Sequence, residues 1–113
     1  MASNDNIEEY IKEKGRSIGR ILIACKYDDI ELEFPSIEEE IYEVAICYAR
    51  IYFFETQSFL LKEESEKRLK FLIQTRFDIK QRKLKKMSNV DLVAHCIKLE
   101  AIEELERAGL VIS

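Results

Sequence analysis

The chain has 113 residues and a net charge of −4, with 47% hydrophobic and 35% charged side chains. That length suits one domain able to bury a core without disulfides or metal, and a single proline with three glycines argues against an all-β fold of many tight turns. No run of about 18 uncharged apolar residues occurs; the nearest, Val44 to Phe54, is interrupted by Arg50, so no membrane span is expected.

From the start, Asn4, Asp5, Glu8 and Glu9 give a polar, acidic segment without the basic and apolar regions of a secretory signal. Ser3, Asn4 and Asp5 are each suitable N-caps for a helix. Ile7, Ile11, Ile18, Leu22 and Cys25 then recur at helical steps. Gly15 and Gly19 interrupt that helix, either as a kink or break, which is the simpler reading, or as a small-residue contact admitting a second helix. A rival pattern starts at Ile21, where Ile21, Ile23, Cys25 and Tyr27 alternate before Asp28-Asp29, followed by Ile30, Leu32 and Phe34. That alternation suits a short β-hairpin over 21–34. Asp-Asp is a poor hairpin turn, however, and a helix to about Lys26 followed by an extended segment is the preferred expectation.

Pro35 and Ser36 open the next element. Ser36-Ile37-Glu38-Glu39 has the form of a capping box, and its three consecutive glutamates from Glu38 suit the positive end of a helix dipole. The helix should run to about Lys62. Its stretch from Val44 to Phe54 is apolar nearly all round, so either the helix is central or part of it is an intersubunit surface. Tyr42, Tyr48, Tyr52, Phe53, Phe54 and Phe59 all belong to it. Core packing is their default role, and Tyr48, Tyr52 and Phe53 are the candidates for a partner contact. A break near Lys62–Ser65 leads to a helix carrying Leu69, Leu72, Ile73 and Phe77 toward Leu84; a single continuous helix through this region is the alternative. Ser88, with Asp91 three residues on, starts a last helix with Val90, Val93, Ile97, Ala101 and Leu105 in line. Gly109 is placed as its C′ residue, with Leu110 as the apolar partner and Val111 and Ile112 tucked back.

The expected fold is thus mainly all-α, a small bundle of about four helices forming one domain over 1–113. Its charge is uneven: residues 1–66 hold 7 basic and 16 acidic side chains, 67–87 hold 9 and 1, and 88–113 hold 2 and 5. Lys80, Arg82, Lys83, Lys85 and Lys86 crowd the end of the third helix. They are either a solvated helix end, a dock for an acidic partner, or a contact for phosphate backbone. Cys25, Cys47 and Cys96 are odd in number and far apart, as expected of reduced thiols in a cytoplasmic protein. His95 has no second histidine or cysteine ligand at helical spacing, so no metal or other cofactor is expected. Neither a P-loop nor a Gly-x-Gly-x-x-Gly motif is present, and His95, beside Cys96, would need as a general base a nucleophile or substrate group to which the sequence does not point. The expectation is a non-catalytic protein with no small-molecule substrate.

The segment Arg68 to Met87 resembles the central helix of GINS replication-complex subunits, in which a leucine- and aromatic-rich helix continues into basic residues. The matching positions are Arg68, Phe71, Leu72, Arg76, Lys83 and Leu84, with Ser88–Leu105 as the following helix. The family usually adds a small β-rich domain, for which there is no room here, so the resemblance implies an isolated helical domain or a truncated relative acting as a scaffold in a DNA-replication assembly. Two functions therefore stand side by side. One is an assembly subunit that binds a protein partner or its own copies. The other is a small viral or plasmid-type regulator that binds nucleic acid through the basic helix of 67–87.

Overall fold

The computed structural model describes residues 7–27, 36–58, 60–77 and 79–109. Among them are five helices: α1 (Ile7–Tyr27), α2 (Ser36–Thr56), α3 (Glu63–Phe77), α4 (Gln81–Lys85) and α5 (Asn89–Arg107). The described residues contain no strand. Four longer helices and one short one make the expected all-α bundle. The hairpin alternative fails over 21–27, which is the last part of α1. The remainder of that pattern, the N-caps at 3–5, the Ser36 capping side chain, Phe59 and the tail from Leu110 lie outside the described residues.

The centre of the fold is α5. It packs against α1, α2 and α3, whereas α1 meets α2 less extensively and α4 leans on α3. Leu92, Val93, Ala94, Cys96, Ile97, Leu99, Ala101, Ile102 and Leu105 are all buried, on nearly every side of this one helix. The long apolar run of α2 left that helix either central or partly an intersubunit surface, and it is not the central one. Instead α2 buries one side only, through Ile37, Ile41, Ala45, Ala49, Tyr52 and Phe53, and leaves Val44, Ile51 and Phe54 in solvent.

Close approach of α1 to α5 explains the two glycines. A Cβ on Gly15 would overlap Glu100 Cβ and lie 2.9 Å from the Ile97 carbonyl oxygen; one on Gly19 would lie 2.7 Å from Glu104 Cβ. Helix α1 runs unbroken through both. The kink is therefore corrected in favour of the small-residue contact, which lets the two backbones meet without side chains between them.

Helix α2 stops at Thr56, one and a half turns before the expected Lys62. The Gln57 amide donates to the Phe54 carbonyl and the Ser58 amide to the Phe53 carbonyl, both at 3.2 Å. Gln57 has φ +58°. Together these form a Schellman motif with glutamine in the left-handed position that glycine usually takes. The third helix likewise stops at Phe77, so the region 37–87 is three helices and not one or two.

At α5 the capping signals hold. Ser88 Oγ accepts from the Asp91 amide at 3.1 Å and donates to Asp91 Oδ2 at 3.0 Å. Gly109 has φ +83° and its amide donates to the Glu106 carbonyl.

Polar contacts fix the register of the helices. Tyr10 OH donates to the Tyr48 carbonyl at 2.7 Å, joining α1 to α2. Tyr42 OH donates to Asp91 Oδ1 at 3.0 Å, joining α2 to α5. Burial first, and then the carboxylates of Glu55 for Tyr10 and Asp91 for Tyr42, push both phenols up to about 12. Arg68 pairs with Glu8 across α3 and α1 at 2.9 Å, and Arg76 reaches Glu103 and Glu106 from α3 to α5.

Candidate interaction surfaces

The five candidate cations are not the end of α3 but a short helix of their own. Lys80 is the N-cap of α4, with an extended backbone, and Lys86 is its C-cap. Leu84 is buried and anchors α4, helped by Ile79 and Met87 packed against the core. At about 100° per residue, Arg82, Lys83, Lys85 and Lys86 fall on an arc facing away from Leu84. All four are exposed, as is Lys80. None of the five forms an ion pair among the described residues. Cations elsewhere do: Arg20 with Glu104, Arg68 with Glu8, Lys98 with Glu38, Arg107 with Glu104.

The three aromatic candidates are placed differently. Tyr52 is 4% exposed and Phe53 fully buried. Tyr52 stacks against Tyr10 of α1 at 4.9 Å between ring centroids. Both belong to the core, so neither ring is available to a partner in the folded state, which corrects their assignment to a contact face. Tyr48 is half-buried; its carbonyl accepts from Tyr10, and Lys14 Nζ sits 5.2 Å from its ring. The fold does not bring these aromatics together with the basic cluster.

The exposed apolar face that α2 does offer lies within the Val44–Phe54 run, for which the sequence left an intersubunit surface open without singling out its residues. Phe54 is 81% exposed and Val44 and Ile51 are each 45% exposed, with Cys47 also exposed. Ile51 and Phe54 border an open groove of about 720 Å³ whose other wall is Val90 and Asp91 at the start of α5. The signal that could have found this face is the 3-4-3 spacing of residues 44, 47, 51 and 54. A second groove, of about 540 Å³, runs between α1 and α3. Its apolar wall includes Phe71 and Leu72, both exposed, with Arg68 and Lys12 at the rim. Of the apolar positions expected along α3, Leu69 and Ile73 are buried, with Ser65, whereas Leu72 is exposed.

Among the described residues no group of three or more metal-ligating side chains is assembled. His95 packs its ring 4.8 Å from Tyr42, and its pKa is lowered by burial first and then by Lys98, against the pull of Asp91. Burial pushes the Cys96 thiol up to about 12; its Sγ lies 3.8 Å from the Leu69 carbonyl. Such a thiol is a packing group and not a nucleophile. No helix among the described residues is long and apolar enough to cross a membrane.

Comparison with protein-family models, curated proteins and solved structures finds no match to the chain.

Proposed function

We propose that the protein is a non-catalytic helical assembly subunit that docks an acidic protein partner on the outer face of α4. The observation that carries this reading is the set of exposed cations, Lys80, Arg82, Lys83, Lys85 and Lys86, without ion pairs among the described residues, in a chain whose net charge is negative. Concentrated charge of one sign steers an oppositely charged partner and fixes its orientation. A protein partner is favoured over nucleic acid because the acidic excess of residues 1–66 and 88–113 repels phosphate backbone. The resemblance of Arg68–Met87 to GINS subunits makes a replication complex one candidate assembly.

Replacing Lys83, Lys85 and Lys86 by glutamine tests the reading. Exposed charges of this kind contribute about 0–1 kcal/mol each to stability, so the melting temperature should stay nearly unchanged while association with an acidic protein slows. Wild-type protein should bind duplex DNA weakly at physiological salt. Strong binding that collapses between about 50 and 200 mM salt, with a slope flattened by the triple substitution, would instead establish the nucleic-acid regulator.

A further inference from the structure

On α2, Val44, Cys47, Ile51 and Phe54 follow one another at steps of 3, 4 and 3. At about 100° per residue they form one line on the side of the helix away from Ile41, Ala45 and Ala49. All four are exposed, Phe54 most of all. Alternating steps of 3 and 4 are the spacing of the a and d positions in a coiled coil. The line is about 15 Å long and fills the a and d positions of two successive heptads. Apolar residues aligned in this register and left in water define a face awaiting another helix.

We propose that this seam packs against the same seam of a second copy of the chain, with the two α2 helices parallel and in register. The proposal rests on the assembly-subunit reading and names one of its partners. Charge selects both the occupant and the direction. With Val44 and Ile51 at a, Arg50 falls at g and Glu55 at the following e position, the two that pair across a parallel coiled coil. Both are exposed, and neither forms an ion pair among the described residues. In the parallel pair Arg50 lies beside the partner's Glu55, and the two-fold axis repeats the contact. Glu43 at the preceding g meets the partner's Tyr48, with no clash of charge. In the antiparallel arrangement Val44 meets the partner's Phe54, and Arg50 then meets the partner's Arg50 across the axis.

The ends of the seam are also defined. Glu40, exposed and one turn before Val44, would face the partner's Glu40 and confine contact to the two heptads. At the other end Gln57 turns the chain off the helix axis. A seam so short, closed by a like-charge pair, makes a weak and reversible dimer. Cys47 at d faces the partner's Cys47 in the parallel pair alone, within the Cα separation of about 4.4–6.8 Å that a disulfide spans.

The test uses the full chain. Under diamide, which takes two electrons and two protons from a pair of thiols, wild-type and C25S proteins should yield dimers linked Cys47 to Cys47 on peptide mapping, and C47S should not. With the protein reduced, sedimentation should show R50E and E55R each weakening the dimer by about tenfold, with the double variant R50E/E55R restoring it. E40Q should tighten it. Circular dichroism of each variant confirms that it is folded. A reduced protein that stays monomeric at millimolar concentration overturns the proposal. So does a dimer that lacks the Cys47 link or that the charge exchange fails to rescue. Neither result touches the assembly reading, whose own measurement is partner binding by the α4 triple variant.

Discussion

Glycine in a helix is ordinarily a defect, and Gly15→Ala should gain about 1 kcal/mol of intrinsic helix propensity. The surroundings reverse that sign. The added methyl would overlap Glu100 Cβ and crowd the Ile97 carbonyl and Ala101 amide, which are backbone and cannot rotate away. Overpacking of this kind costs about 1–3 kcal/mol, so Gly15→Ala should lower the urea midpoint; a rise would mean that α1 and α5 are not in such close contact. His95 carries a pH dependence of definite sign. Its folded pKa is lowered, chiefly by burial, so the unfolded chain takes up the proton first. Its contribution to stability is complete above the unfolded value of about 6.5 and is lost as pH falls from there toward the folded pKa. Glu100, raised by burial and by Glu103, acts in the opposite sense. The difference between wild type and His95→Gln isolates the histidine: the wild-type advantage should shrink between pH 7.5 and 5.5 in paired urea titrations. A constant difference would assign His95 a packing role alone.

At the scale of the helices, some boundaries were plain in the sequence and others were not. The start of α5 was legible because Ser88 and Asp91 carry their own chemistry, and its end because Gly109 takes the left-handed conformation for which glycine is made. The end of α2 was not legible, since the same motif is closed there by Gln57, a residue with no preference for positive φ. Left-handed backbone costs a non-glycine residue about 1–2 kcal/mol. Gln57→Gly should therefore stabilise the protein by about 1 kcal/mol, after allowance for the added freedom of the unfolded chain; an unchanged thermal midpoint would mean that the motif is not formed in solution. The basic cluster was legible as composition. Its segregation onto a separate helix, with Leu84 inward and four cations outward, was not, because no glycine or proline separates Phe77 from Gln81.

For the whole molecule, the longest apolar run was a poor guide to the centre. Val44–Phe54 is conspicuous because both sides of α2 are apolar, yet only one is covered. The true centre, α5, disguises itself with half-buried Lys98, Glu100 and Glu103 between its core residues. Burial is correspondingly unequal. The three main helices share the core, whereas α3 contributes a stripe of Ser65, Leu69 and Ile73, and α4 contributes Leu84. Local opening follows the extent of buried contact, so amide hydrogen exchange should be slowest in α5 and markedly faster in α3 and α4. Uniform protection would show that the domain opens only as one unit.

The position of α5 in the chain, after every helix it holds together, has a consequence for biosynthesis. At about 5–20 residues per second, several seconds separate completion of α2 from completion of α5. Throughout that interval Ile11, Ile18, Ile41 and Ala45 have been translated but the helix that covers them has not. The faces of α1 and α2 that pack on α5 therefore stay uncovered until that helix has been made.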